Sequence, residues 1–390
     1  MRLSTPPVRA PRRVLMTADA VGGVWTYALD LAQSLGQRGT EVVLATMGPP
    51  LDREQRAAAD RLGLCVHESH HRLEWMPGAW SDVDRAAEWL LSLRALEEPD
   101  LVHLNGYCHA DLPWGAPVVL VGHSCVWSWW RAVQGGDPPP AWDEYRRRVA
   151  AGLAAAHRVV APTAAMLHAL EAAYGSLAHG RVVHNGRYAP AEPPPARKQA
   201  LVFSAGRLWD EAKNLAALDR AAERLSWPVA VAGEARHPDG GAHKPRHLAA
   251  LGRLSAEDVA RWMARAAIYA APALYEPFGL GALEAAQAGC ALVLGDISSL
   301  REVWGDAALY APPDDDAALA GVIERLIADE TLRADLARAA RARACRFEPG
   351  RMAEQYLEVY AEAAEAATES AIAELGRRQP TAPLIGAASP

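Results

Sequence analysis

Lysine is nearly missing from this chain: of 40 basic residues only Lys198, Lys213 and Lys244 are lysines. Any one of them inside a motif therefore stands out. Net positive charge is missing too. At −7 the protein has no overall basic field to attract a nucleic-acid backbone, so a nucleic-acid partner is not expected. The five cysteines (Cys65, Cys108, Cys125, Cys290 and Cys345) are odd in number and scattered, with no CxxC or other tight ligand spacing. That pattern excludes a disulfide framework and fits free thiols in a reduced compartment. No apolar run is long enough to span a bilayer; the most apolar stretch, Ala116 to Trp130, is interrupted by His123 and Ser124. Met1 to Arg13 carries four arginines and three prolines without the apolar core of a signal peptide. These absences lead to the expectation of a cytoplasmic protein, in contact with a membrane at most peripherally.

What remains is a chain of 390 residues, 51% hydrophobic and 22% charged, sized for two or three globular domains. Short β-branched runs alternate with Ala/Leu-rich stretches of helical length, which predicts parallel sheets covered on both faces. Strands are expected at Val14–Thr17, Glu41–Thr46, Leu101–Leu104, Val118–Gly122, Arg158–Ala161 and Arg181–His184. A second series follows at Ala200–Ala205, Val229–Gly233, Ala267–Ala271, Ala291–Leu294 and Ala308–Tyr310. Between the two lies a segment containing Pro190, Pro193, Pro194 and Pro195, which favours an extended connector. The expected organisation is a first Rossmann-like domain over 1–187, a linker over 188–199 and a second Rossmann-like domain over 200–348. A last helix with its tail, 349–390, crosses back to the first domain. Two doubly wound domains facing each other bring the carboxyl ends of both sheets to one cleft, where helix N-termini favour anions.

Three strand-to-helix loops carry the chemistry. The first, Asp19-Ala20-Val21-Gly22-Gly23-Val24-Trp25, has paired glycines that let backbone approach a ligand, or that simply make a tight turn. The second, Ser204-Ala205-Gly206-Arg207-Leu208, runs on to Lys213-Asn214. It places a guanidinium fork and one of the three lysines where a strand empties into the cleft. The third is Glu276-Pro277-Phe278-Gly279-Leu280-Gly281-Ala282-Leu283-Glu284. Pro277 keeps Glu276 out of helical geometry, a helix is expected from near Gly279, and Glu284 falls on its second turn. Two carboxylates flanking a helix N-terminus suit a ligand with a phosphate in the middle and hydroxyls on either side. Position 284 is glutamate where a dinucleotide fingerprint needs its third glycine, and no GxxxxGK[ST] is present, so neither an NAD site nor a P-loop is expected.

The histidines divide. Cys65, His67, His70 and His71 crowd one segment and His237, His243 and His247 another, but neither group has zinc-finger or HExxH spacing, so no metal is expected. His123 differs, because it follows a strand straight into the cleft. Trp127, Trp129 and Trp130 come next; indoles stack on sugar rings and fill cores equally well. The run Arg146–Arg148 is expected to begin a helix, as a solvated face or as a contact for anionic lipid.

Taken together the loops resemble family 4 of the retaining, GT-B-fold glycosyltransferases. The similar stretches are Gly22–Ala32, Val118–His123, Val182–Gly186, Ala205–Asn214, Pro272–Glu284, Gly289–Glu302 and Ala308–Asp316, closer in the second half than in the first. The resemblance implies a nucleotide-diphosphate sugar, UDP- or GDP-linked, held mainly by the second domain. Arg207 and Lys213 would hold the diphosphate, Glu284 the ribose and Glu276 the transferred sugar. Gly22 and Gly23 would meet the donor from across the cleft, with Phe278, Gly279 and Leu280 completing its site. The catalytic set implied is Glu276, His123, Arg207 and Lys213, without cofactor or metal. Asp19, Trp25, His109, Trp127 and Trp129 are the candidates for a small-molecule, glycan or lipid acceptor. In three places the chain departs from the family: Lys213 lies one residue further from Arg207, Asn214 replaces a common glycine, and His184 replaces the proline usual before Asn185-Gly186. No carboxylate is an evident covalent nucleophile, Asp19 being the nearest. Retention by front-face displacement is therefore expected, the leaving phosphate assisting the acceptor. A nucleotide-sugar epimerase and a silent sugar-nucleotide-binding protein are the other readings.

Overall fold

The computed structural model describes residues 10–190, 195, 197–234 and 245–378, with side chains as far as 373. Pro193, Pro194, His237, His243 and Lys244 lie outside the described residues, as do Arg2, Pro6, Pro7 and Arg9.

The first sheet has seven strands: β1 (Arg13–Asp19), β2 (Glu41–Met47), β3 (Cys65–Glu68), β4 (Leu101–Leu104), β5 (Val118–Val121), β6 (Arg158–Ala161) and β7 (Gly180–Val182). Their order is β3-β2-β1-β4-β5-β6-β7, and every pair is parallel. The second sheet has six: β8 (Gln199–Ala205), β9 (Val229–Ala232), β10 (Ala249–Ala250), β11 (Ala266–Ala271), β12 (Ala291–Gly295) and β13 (Leu309–Ala311). They run β10-β9-β8-β11-β12-β13, again all parallel. Both sheets are buried on both faces. Along β1, Leu15 enters one core while Val14, Met16 and Ala18 enter the other, the period-2 alternation of a strand. Truncating a buried leucine such as Leu292 to alanine costs about 2–5 kcal/mol in cores of this kind.

Strand order reverses between β1 and β4 in the first sheet and between β8 and β11 in the second. At such switch points successive loops leave in opposite directions and open a crevice. The loops that carry the sequence motifs leave from three of these four strands.

All eleven expected strands form, with no end shifted by more than two residues. The two strands not expected, β3 and β10, are sheet edges whose side chains are at best half-buried, so they lack the apolar run that marks an interior strand. The helix after the glycine pair spans Gly23–Gly36, so the second glycine is its first residue. Arg146–Arg148 does not begin a helix but lies inside Asp143–Ala155. There Arg148 pairs with Glu144 and Asp84, Arg147 pairs with Glu144, and Arg146 sits over the Trp127 ring.

The last helix, Pro349–Arg378, crosses back. Met352, Ala353, Tyr356, Val359, Tyr360 and Ala363 recur at helical spacing and complete one core of the first domain beside the Gly23–Gly36 helix. Arg158 and Arg181 both pair with Glu362 to hold it there.

Candidate active site

The second-domain wall is built by two loops. After β8 the chain passes Gly206 and Arg207 into a short 3-10 turn, Glu211–Lys213. Asp210 organises the turn, accepting from the Ala212 amide at 3.1 Å and from the Arg207 guanidinium at 2.8 Å. Asn214 then adopts a left-handed conformation, φ 54°, which asparagine tolerates better than most residues. Its side-chain amide donates to the carbonyls of Pro272 and Pro313 at 3.0 and 2.6 Å, so the glycine common in the family is replaced by a residue that ties the loop down.

The second loop follows β11 and supplies Glu276. Lys213 Nζ donates to Glu276 Oε2 at 2.6 Å, so the two motifs meet in one ion pair. Ser204, Ala205, Tyr269 and Gly281 line the same small cavity. Helix Leu280–Gln287 begins directly after Gly279, whose φ of 92° sets its entry angle, with no side chain capping its first amides. Across the cleft, a Cβ at Gly23 would stand 3.2 Å from Leu280 Cδ1. The glycine pair thus lets the first helix of one domain meet the motif helix of the other, N-terminus to N-terminus. Both dipoles then favour negative charge between them.

Glu284 lies one turn along the same helix, in a setting the motifs did not foretell. Arg187 Nε donates to Glu284 Oε1 at 2.8 Å, and Arg187 Nη1 donates to both oxygens of Asp30 on the Gly23–Gly36 helix, at 3.1 and 2.9 Å. Gln287 Nε2 donates to the Arg187 carbonyl at 2.9 Å, while the Arg187 amide donates to Phe347. Burial pushes the Asp30 carboxyl up to about 6 against the opposing pull of Arg187. Arg187 lies just past the last strand of the first sheet, outside any recognisable loop motif. Its position immediately after Asn185-Gly186 is the only signal that sequence offers.

The first-domain wall is neutral where the second is ionic. His123 Nε2 lies 2.8 Å from Asn105 Oδ1, and the Asn105 amide nitrogen donates to the Thr17 carbonyl at 2.7 Å. Because that second bond fixes which end of the amide is oxygen, His123 must carry its proton on Nε2 and leave Nδ1 as an acceptor. Burial lowers the His123 pKa to about 3, so the ring is uncharged. Asn105 also meets His103 Nε2 at 3.2 Å, and His103 Nδ1 meets the Tyr360 hydroxyl at 2.8 Å, linking the wall to the C-terminal helix. Asp19 accepts from the Val21 amide at 3.1 Å. Burial raises its carboxyl to about 7, with Arg207 pulling it down and Glu74 pushing it up. Glu74 accepts from the amides of Tyr107 and Cys108, a role not foreseen.

Several expected site residues are interior. Trp25, Trp127 and His109 are 5%, 2% and 6% exposed. Trp25 fills the core between the first helix and the sheet, and His109 is tied to the Val83 carbonyl at 3.0 Å. These three present no open face to an acceptor; of the five acceptor candidates Asp19 and Trp129 retain one. Phe278 is likewise a core residue, edge-on to Phe347. Gly22, at φ 80°, shapes the turn before the first helix.

The walls are joined by specific bonds. Tyr275 and Ser128 hydroxyls meet at 2.8 Å, and Thr163 donates to the Pro277 carbonyl at 2.9 Å. Glu302 of the second domain accepts from the first two amides of the Ala164–Tyr174 helix of the first, at 2.8 and 2.9 Å. His184 lies 3.3 Å from the same carboxylate, which accounts for a histidine before Asn185.

Residues 21–187 match the family described as Glycosyltransferase Family 4, and residues 189–343 that described as Glycosyl transferases group 1. D-inositol 3-phosphate glycosyltransferase of Salinispora arenicola is 28% identical over 94% of this chain and 92% of its own. Among solved structures, sucrose-phosphate synthase of Thermosynechococcus elongatus superposes with a TM-score of 0.72 at 18% identity, covering 94% of this chain and all of that one. The Anabaena protein HepE, in complex with UDP-glucose, gives 0.67 at 17%, covering 93% and 99%. With two facing parallel-sheet domains and both halves of the family matched along the sequence, this chain is a GT-B-fold glycosyltransferase of the family 4, group 1 type.

Proposed function

We propose that the enzyme moves a hexose from a UDP- or GDP-linked sugar to a hydroxyl acceptor, with retention at the anomeric carbon and without a metal. The observation that carries this reading is the meeting of Lys213 and Glu276 at 2.6 Å beneath the free N-terminus of the Leu280–Gln287 helix. Support for a nucleotide sugar comes also from HepE, a structural neighbour in complex with UDP-glucose.

The chemistry follows from the charges. As the anomeric C–O bond breaks, negative charge grows on the diphosphate and positive charge on the sugar ring. Lys213, Arg207 and the helix amides stabilise the former, and groups fixed in advance act there without reorganising. Glu276 exchanges Lys213 for sugar hydroxyls, and Glu284, held at one oxygen by Arg187, offers the other to the ribose. His123 Nδ1 accepts from a sugar hydroxyl. The leaving phosphate takes the acceptor proton on the same face, so the anomeric configuration is kept. Asp19, on the first-domain wall, orients the acceptor hydroxyl.

A thermal-shift panel of UDP, GDP, ADP and their sugar conjugates in EDTA tests the donor side. A ligand of the folded state raises the melting temperature once its concentration exceeds its Kd. One nucleotide is expected to do so, and the shift to vanish in Arg207→Ala and Glu284→Ala. No shift with any of them refutes the reading, and an inverted product anomer by proton NMR refutes the mechanism.

A further inference from the structure

A second cluster of chemically able side chains lies far from the cleft. Cys65 and His67 are two apart on β3, so both project from one face of the sheet edge. Glu97, the last residue of the Trp80–Glu97 helix, reaches the same point. His67 Nε2 is 2.8 Å from Glu97 Oε1 and 3.7 Å from Cys65 Sγ, and the three ligand atoms lie within 4.8 Å of one another. The sequence grouping of Cys65 with His67, His70 and His71 therefore dissolves. His70 is exposed and His71 turns toward Asp82, while a carboxylate thirty residues further on takes their place.

We propose that Cys65, His67 and Glu97 form a binding site for a zinc-type divalent cation that fastens the edge strand β3 to the end of the neighbouring helix. The donor set is one soft thiolate, one imidazole and one carboxylate, the mixture that suits zinc rather than magnesium or calcium. Tetrahedral zinc with ordinary bond lengths sets sulfur and nitrogen about 3.5 Å apart, and nitrogen and oxygen about 3.4 Å apart. The first spacing is nearly present, and the second needs the His67–Glu97 hydrogen bond to open by about 0.6 Å. A water completes the fourth position.

The surroundings suit a cation. The Glu97 carboxylate stands at the site, and Glu41 on the neighbouring strand β2 pairs with Arg13. Arg13 shares the acid: its guanidinium donates to the Glu97 carbonyl at 2.9 Å and pairs with Oε2 at 3.8 Å, leaving Oε1 toward His67. Metal entry releases the Cys65 thiol proton and leaves His67 neutral. Cys65 opens β3, and Glu97 lies four residues before β4 begins, so the site is at the amino end of a sheet whose carboxyl end faces the cleft. The bound ion would strengthen the fold without entering the transfer reaction.

Cobalt(II), a spectroscopic stand-in for zinc, tests this on the full-length reduced protein. One cobalt per chain is expected, with a thiolate-to-cobalt charge-transfer band that zinc displaces. Cys65→Ser and His67→Ala should abolish the band with the far-ultraviolet circular dichroism unchanged. Glu97→Gln should keep the band and weaken binding about tenfold. Zinc at a hundredfold excess over Kd should raise Tm by on the order of 5 °C in the parent and not in Cys65→Ser. No band at equimolar cobalt overturns the proposal. So does a band that survives in Cys65→Ser, which would place the metal on another thiol such as Cys345, or an affinity indifferent to Glu97→Gln.

Discussion

The two walls of the cleft handle charge in opposite ways. On the second-domain wall Lys213 with Glu276 and Arg207 with Asp210 form complete ion pairs, and Arg207, Lys213 and Glu276 keep a quarter to two fifths of their side-chain surface open. On the first-domain wall burial holds His123 neutral and raises the Asp19 carboxyl to about 7, with no ion pair to either among the described residues. Partly solvated ion pairs exchange partners at little cost, so a diphosphate can replace a carboxylate on Lys213 without stranding a buried ion. A wall of low charge orders hydroxyl groups by direction and distance. The leaving group thus meets the ionic side, and the groups whose hydroxyls must be aimed meet the neutral one.

The contrast is sharpest at Lys213. Replacing it by methionine should lower kcat by about 10²- to 10³-fold, the range for losing one preorganised donor to a developing oxyanion. Turnover of the donor in steady state measures this. An equal loss in Asp19→Asn would break the comparison, because the neutral wall would then carry the same share of the chemistry.

Next comes the bridge between the walls. Arg187→Ala leaves Asp30 and Glu284 without their shared partner and should cost about 2 kcal/mol of stability. That is less than a fully buried pair would lose, because Arg187 is 26% exposed. Urea titration reads the stability, and calorimetry should show the nucleotide Kd rising about tenfold. Arg187→Lys, which keeps the charge but loses the fork, should recover only part of either.

Asn105→Ala tests the neutral wall by itself. Removing the acceptor for His123 Nε2–H frees the ring to turn, and kcat/KM should fall about tenfold while nucleotide affinity stays within a factor of two. A matching fall in nucleotide affinity would show that the two walls do not act separately.

The smallest expected effect is one of pH. Asp19 and Asp30 both have folded pKa values above the ordinary carboxylate range, at about 7 and about 6. The folded state therefore binds more protons than the unfolded one between pH of about 4 and about 7. Their contribution to stability falls as pH rises through that window. Asp19→Asn mimics the protonated form, and should remove part of this slope and gain about 1 kcal/mol at pH 8. Denaturant midpoints at pH 5 and pH 8 read it directly.

How much of this was legible before folding follows the same division. Lys213, Glu276 and Glu284 sit in strand-to-helix loops whose glycine and proline punctuation marks the turn, so local sequence placed them. Arg187, Asn105 and Glu74 act through partners tens of residues away, and no local spacing announces a hydrogen bond between Asn105 and Thr17. Tryptophans misled for a related reason. An indole beside a strand end serves a core as readily as a ligand, and Trp25 and Trp127 went to the core. Edge strands β3 and β10 escaped because half-exposed side chains carry no apolar run.

The returning helix also sets an order of events during synthesis. One core of the first domain includes Val183 and is closed by residues as late as Ala363. At about 5–20 residues per second, the ribosome needs roughly 10–40 s to make the intervening stretch. Throughout that interval Tyr27 on the first helix has no Tyr356 to pack against. The nascent first domain must wait, with an apolar face open, while the whole of its neighbour is made.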